Sequence, residues 1–283
     1  MLLTVGDLID DVLVRRAGGL ERGTDNAATI RHARGGSAAN VAAAAAASVA
    51  TRFIGCVGDD PAGDALIRRL ERAGVDVRVQ RGERTGTIVI LVDDEGERTM
   101  ITDRGAAAEL GAIDPSWLDG VDWVHAPLYG FSREPSRSAI VEAIERMPRP
   151  PARVSLDLSS IATMRDLGAG RLQTLIARLR PDVVFANRDE ARCAGDLGID
   201  LSSVEAYIVK RGGAPVVVSA RGDEVHVPVE PVEGLIDSTG AGDAFAAGYI
   251  GNGRVVGEAI LEWAYAYAEL SRRDYELFVD TAI

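Results

Sequence analysis

Asp237-Ser-Thr-Gly-Ala-Gly-Asp-Ala-Phe245 is the stretch from which the rest of this 283-residue chain is read. Residues 243–250 (DAFAAGYI) predict the first turns of a helix, and Gly240 and Gly242 allow a tight turn just before it. The N–H groups of Ala241, Gly242 and Asp243 would then point outward at the positive end of the helix dipole, which makes an anion site. A carboxylate at the lip of such a site can take the proton of a hydroxyl that attacks phosphorus. Phosphoryl transfer to an alcohol is the first expectation. The alternative is a plain turn, with Asp243 capping the helix.

A second signal lies about two hundred residues upstream: Gly35-Gly-Ser-Ala-Ala-Asn-Val-Ala42, followed by an alanine run and Phe53-Ile-Gly-Cys-Val-Gly-Asp-Asp-Pro-Ala-Gly63. With both ends present, the chain resembles the ribokinase-like (PfkB) family of carbohydrate kinases. The resemblance runs in the family's order through Gly6-Asp7, Asp11, Gly35-Gly36, Asn40, Gly58-Asp59-Asp60, Gly63, Asp157, Asn187-Arg-Asp-Glu190, Lys210-Arg-Gly212 and the 237–245 motif.

That resemblance implies an α/β fold in one domain over 1–283: a mostly parallel central sheet covered by helices on both faces, plus a small β lid. It implies transfer of the γ-phosphoryl group of ATP to a hydroxyl of a small sugar or sugar acid. Asp243 is then the general base, and Gly240, Ala241 and Gly242 form the anion hole. Asp11 and Asn40 would bind sugar hydroxyls, since a carboxylate accepts from two of them and an amide both donates and accepts. Gly36 would let the backbone approach the ring, and Asp157 and Asp237 belong to the substrate side. Asn187, Lys210, Gly212 and Thr239 fall on the nucleotide side, and Asn187 with Glu190 would place Mg2+ and its waters. Asp237 and Thr239 are also candidates for a monovalent cation such as K+. Arg104 could grip a carboxylate or phosphate on the acceptor, or simply pair with Asp103 or another surface carboxylate. Asn40, Asn187 and Glu190 each have a helix-capping alternative.

Composition is consistent with this and excludes other classes. Apolar residues make up 47% of the chain, enough for one large α/β core. A net charge of −12 and a pI near 4.8 argue against nucleic acid or an anionic membrane as partner. Lys210 is the only lysine, so no Gly-Lys-Ser/Thr phosphate loop exists. Cys56 and Cys193 are too isolated for a disulfide framework or a zinc site, and His32, His125 and His226 read as surface or packing residues. The start, Met-Leu-Leu-Thr-Val-Gly-Asp, reads as a strand with no basic leader, and the alanine run at 41–50 is too short to span a bilayer. A soluble, cytoplasmic protein is expected.

Strands are predicted at 2–5, 53–57, 121–125, 154–158 and 183–186, alternating with helices at 64–73, 137–147 and 171–178, which is the pattern of a parallel sheet. Ligands of such sheets bind at strand carboxyl ends, where Asp11, Asp157 and Asn187 are expected. Segments 12–33 and 86–102 break the rhythm and read as hairpins, the second turning at Asp94-Glu-Gly96. These are the expected lid strands, and a protruding sheet with an uncovered apolar face suggests a homodimer. Asp10 and Asp11 should face opposite ways by strand alternation. The run Gly213-Ala214-Pro215, and Trp263, Tyr265 and Tyr267 on a helix at 257–272, depart from the family's pattern, leaving adenine placement and K+ dependence open. Other functions weighed are a catalytically weak sugar or nucleotide sensor and a nucleoside kinase. A dinucleotide oxidoreductase is disfavoured, because Phe245 stands where its fingerprint needs glycine.

Overall fold

The computed structural model describes residues 1–16, 18–92, 98–150, 152–220, 222–229 and 240–251. The chain alternates strand and helix for most of that length. Strand β1 (Leu2–Val5) leads to β2 (Ile9–Arg15), β3 (Thr29–Gly35), α1 (Ser37–Ala45), β4 (Thr51–Gly58), α2 (Pro61–Arg72) and β5 (Asp76–Gly82). Strands β6 (Thr85–Val92), β7 (Arg98–Gly105) and β8 (Trp123–Pro127) follow, then α3 (Ser136–Arg146), β9 (Arg153–Asp157), α4 (Ile161–Leu179), β10 (Val183–Asn187) and α5 (Arg188–Asp196). Strands β11 (Ala206–Arg211), β12 (Ala214–Ala220) and β13 (Asp223–Val227) precede α6 (Ala241–Gly251).

Among the described residues nine strands form the central sheet, in the order β13-β12-β11-β10-β9-β8-β1-β4-β5. From β5 to β11 every neighbour is parallel, and the β11–β12 and β12–β13 pairings are antiparallel. The inner strands are buried on both faces, as a parallel sheet requires: all eight residues of Thr51–Gly58 are buried. Alternation splits the apolar residues of β1 between two cores. Leu3 and Val5 pack in the cluster with Ile140, Leu172 and Ile176 of α3 and α4, while Leu2 packs in the cluster with Val41 of α1 and Phe245 of α6. Helix α2 buries Leu66 and Leu70 against Phe53 and Val57 beside α1. Helices therefore cover both faces, as expected.

The two irregular segments pair with each other. Strands β2 and β3 form an antiparallel hairpin, β6 and β7 another, and β2 joins β6 in parallel to give a separate sheet, β3-β2-β6-β7. These strands reach beyond the expected bounds, spanning Ile9–Gly35 and Thr85–Gly105. The turn at 94–96 lies outside the described residues. The Gly58-Asp59-Asp60 motif ties this sheet to the body. Asp60 caps α2 by accepting from Gly63 N (2.8 Å), and also accepts from Thr85 N (2.7 Å) and Thr85 Oγ1 (2.6 Å) at the start of β6.

Two helices differ from their predicted spans. The alanine-rich helix starts earlier, at Ser37, and stops at Ala45. Helix α4 runs from a Ser160 cap to Leu179 with an interruption at Gly168 (φ 68°), so its first turns escaped the apolar pattern at 171–178. No helix among the described residues is long and apolar enough to cross a membrane.

Candidate active site

Helix α1 packs along α6, with Val41 and Ala45 against Phe245, Ala246, Ala247 and Ile250. Ser37 and Asn40 stand one turn apart on α1, so the same packing sets both beside Asp243 in the first turn of α6. The Ser37 hydroxyl donates to Asp243 Oδ1, and Asn40 Nδ2 donates to Asp243 Oδ2 at 3.0 Å. The positive ends of two helices thus converge on one carboxylate. Burial pushes the Asp243 carboxyl up to about 6, held back by the hydrogen bonds from Ser37 and Asn40, with Asp157 raising it further and Lys210 lowering it.

Beside Asp243 lies a buried ion pair at the carboxyl end of the sheet. Asp157, the last residue of β9, accepts from Lys210 Nζ on β11 at 2.7 Å, and the two side chains are only 6% and 15% exposed. A Cβ on Gly242 would stand 3.1 Å from Lys210 Nζ, which places the ammonium against the first turn of α6. Burial works against the Lys210 charge, but Asp157, Glu190 and Asp243 together outweigh it and raise the pKa, so the lysine is protonated at neutral pH. Gly240 takes φ 75°, a left-handed value that favours glycine, and turns the chain into the helix. Helix N-terminus and ammonium together form a positive wall suited to phosphate oxygens.

Asn187 and Glu190 form a capping box on α5. Asn187 Oδ1 accepts from Asp189 N (2.9 Å) and Glu190 N (2.8 Å), and Glu190 Oε2 accepts from Asn187 N (2.7 Å). The capping alternative for this pair is what the structure displays. Even so, Glu190 is buried next to the ion pair; burial and the Asp157 charge push its carboxyl to about 7, against the Asn187 backbone hydrogen bond and Lys210. Gly212 (φ 62°) turns β11 into β12, with nothing within 4 Å of the place its Cβ would occupy. Pro215 is accommodated near the start of β12.

The small sheet also acts on Asp243, through the charge of Asp11. Asp11 lies within β2 and not at a strand end of the central sheet, a difference from the expected placement. Its carboxylate occupies the space a side chain at Gly35 would fill, with a Cβ there 2.0 Å from Asp11 Oδ1. That oxygen is buried without a hydrogen-bond partner among the described residues, which suits an acceptor awaiting a donor. Burial raises Asp11 to about 7, with Asp10 adding to this, Arg34 opposing it and Asp243 adding a smaller rise. Asp10 faces away, as alternation requires, and meets His32 Nδ1 at 2.6 Å.

Two readings need correction, the helix cap at Asn40 and the Asp103 partner of Arg104. Gly36 (φ 95°) makes room for a close approach of backbone, since a Cβ there would lie 2.2 Å from the Asp7 carbonyl oxygen. Asn40 is not a helix cap; α1 is entered from Gly36, and Asn40 N already bonds Gly36 O at 2.9 Å. Arg104 does not pair with Asp103, which bonds Arg84 instead (2.6 Å). Arg104 forks onto both oxygens of buried Asp7, Nε to Oδ2 at 3.0 Å and Nη2 to Oδ1, and donates to Ser132 Oγ. Burial raises the Asp7 carboxyl despite this partner. Asp237, Thr239 and the segment 257–272, where a helix with three aromatic residues is expected, lie outside the described residues.

Motif reading passed over Ser37, Arg34 and Tyr129. Tyr129, 37% exposed, lies within electrostatic reach of Glu190, Asp243 and Asp7. An exposed aromatic between two predicted halves of a site carries no sequence signal of its own. His125 is fully buried and sits behind the site against Ser155 Oγ (3.0 Å) and edge-on to Phe185; burial depresses it to about 4, so it is neutral packing. Both cysteines are buried and free.

A family model described as pfkB family carbohydrate kinase matches residues 1–254. An ATP-dependent ribose-1-phosphate kinase of Halopiger xanaduensis is 36% identical over 270 residues, covering 87% of this chain and 84% of that protein. A fructokinase of Salmonella typhimurium is 33% identical over 233 residues, covering 76% and 75%. Among solved structures, a candidate ribokinase II from Escherichia coli in complex with ATP and Mg2+ superposes with a TM-score of 0.76 at 22% identity, over 94% of this chain and 91% of that one.

Proposed function

The chain belongs to the pfkB family of carbohydrate kinases, and from that premise we propose that it moves the γ-phosphoryl group of ATP to a hydroxyl of a small sugar or sugar acid, with Asp243 receiving the hydroxyl proton. That it is a phosphotransferase acting on a sugar hydroxyl follows from family membership. The observation that carries the finer reading is the Asp243 carboxylate, gripped by Ser37 and Asn40 in the first turn of α6, with Lys210 against that turn and the Asp11 carboxylate, one oxygen of it without a hydrogen-bond partner among the described residues, in electrostatic reach.

In this reading the acceptor sugar lies between Asp11 and Asp243, and the phosphate chain lies along Gly240, Ala241 and Gly242 with Lys210 behind them. The fixed amides and ammonium offset charge on the transferring oxygens without reorganising. Asp243, above half ionised once the pH exceeds about 6, is matched to accept a proton near neutrality. Arg104, committed to Asp7 and Ser132, joins the small sheet to the body instead of reaching for the acceptor. Among the described residues no three His, Cys, Asp or Glu side chains surround a common metal position. Mg2+ dehydrates reluctantly and would be held by phosphate oxygens and waters, with Glu190 at the second layer. When bound, it would neutralise part of the phosphate charge.

The test is ADP release across a panel of pentoses, hexoses, sugar acids, sugar phosphates and nucleosides. Turnover that depends on Mg2+ and on one sugar-type acceptor is the expected outcome; tight sugar binding with no turnover would make the protein a sensor. The homodimer is part of this proposal, because Ile30, Met100 and Ile101 leave apolar surface exposed on the edge strands of the small sheet, taken here as a lid. Light scattering at micromolar concentration should give twice the 29.9 kDa chain mass, and a monomer would overturn it.

A further inference from the structure

Asn40 can bond Asp243 in only one of its two amide orientations, and the residue that selects the orientation is Arg34. The Asn40 side chain carries an acceptor at one end and donors at the other, and left alone it can present either. Here Oδ1 accepts from both Arg34 Nε (3.3 Å) and Arg34 Nη2 (3.2 Å), while Nδ2 donates to Asp243 Oδ2 (3.0 Å). Reversed, the amide would set oxygen against carboxylate oxygen and leave the guanidinium facing an NH2 group. A guanidinium has donors only and keeps its proton at every accessible pH, so it fixes the flip permanently. Arg34 sits on β3 just before the Gly35-Gly36 turn and reaches over it to the first turn of α1.

We propose that Arg34 is a positioning residue for phosphoryl transfer: by locking the Asn40 amide it keeps a donor on Asp243 and holds that carboxylate in its ionised form. The inference rests on the reading of Asp243 as the base. The other groups acting on Asp243 are the Ser37 hydroxyl on the same helix as Asn40, Asp157 and Lys210 from the sheet, Asp11 from β2, and Tyr129. Arg34 also acts on Asp11 through its charge, so the test must separate that route from the one through Asn40.

A double-mutant cycle does so, with kcat followed from pH 5 to 9 in wild type, Arg34→Met, Asn40→Ala and the double variant. Arg34→Met should move the acidic limb up by about one pH unit, lowering kcat about fivefold at pH 6 and close to tenfold at pH 5, and recovering toward wild type at pH 9. In the Asn40→Ala background the same change should have little further effect, because the route is already cut. Effects that multiply in the double variant, or a limb that stays in place in Arg34→Met, would overturn the inference. Should Arg34→Met fail to fold, Arg34→Lys carries the test, since it keeps the charge without the fork: a smaller upward shift is expected, and an unmoved limb counts against the proposal. Asp243→Asn separates the two readings. If it stays active, the base assignment fails; if it is inactive while Arg34→Met keeps the wild-type limb, only the role of Arg34 fails.

Discussion

Asp243→Asn should lower kcat by about 10²–10⁴-fold at pH 7.5 while leaving the protein folded and more resistant to heat. Loss of rate is expected because an amide cannot take up the acceptor's proton, whereas the anion-binding backbone and Lys210 are untouched. KM for ATP should therefore change little. The gain in stability has a separate cause. The folded protein holds the Asp243 carboxyl at about 6 against 3.8 for an unhindered aspartate, so between those pH values the folded chain binds the extra proton. Stability contributed by this site then falls as pH rises through that window, and above pH 6 the ionised group is a net cost to folding. Asparagine is nearly isosteric, can accept from Asn40 with its oxygen and donate to Ser37 with its nitrogen, and removes the cost. A thermal melt at pH 8 should show Asp243→Asn melting higher than wild type, with the gap closing toward pH 4. A variant that is inactive and melts lower would assign Asp243 to structure alone.

Lys210→Met is expected to be the most destabilising single change at the site, by about 3–5 kcal/mol in urea unfolding. The substitution removes the partner of a carboxylate that is 6% exposed and leaves the Asp157 charge stranded at the end of β9. Pairing Lys210→Met with Asp157→Asn should return most of the lost stability, since a neutral amide tolerates burial far better than an unpaired charge. Function should not return with it. The double variant still lacks the ammonium beside Gly242, so weak ATP binding, read as a raised KM, is expected in both the single and the double variant. An Asp157→Asn/Lys210→Met protein with wild-type KM for ATP would show that Lys210 serves only the ion pair.

The central architecture was readable because its signals are local. Short β-rich runs separated by helical periodicity announce a parallel sheet, and the Asn187–Glu190 spacing announces a capping box regardless of the rest of the chain. Strand alternation alone separated Asp10 from Asp11. What could not be read were pairings between residues far apart in the chain that chemistry does not make unique. Arg104 had several carboxylates to choose from, and its partner Asp7 lies 97 residues away. Ser37 and Asn40 reach Asp243 across 206 and 203 residues, through packing of two small-residue helices whose faces look alike in sequence. The parallel joint between β2 and β6, which turns two hairpins into one sheet, likewise has no local marker. At Gly36 the positive φ was foreseeable from the turn, but the close approach of the Asp7 backbone was not.

The most direct test of the account is the pH dependence of single-turnover phosphoryl transfer, with ATP and the acceptor found by the panel both saturating, in wild type and in Asp243→Asn. Wild type should lose rate below about pH 6 with a slope of one, the titration of a single base. The residual rate of Asp243→Asn should be flat across the same range. A residual rate that keeps the wild-type limb, or an Asp243→Asn enzyme as fast as wild type, would mean that some other group takes the proton.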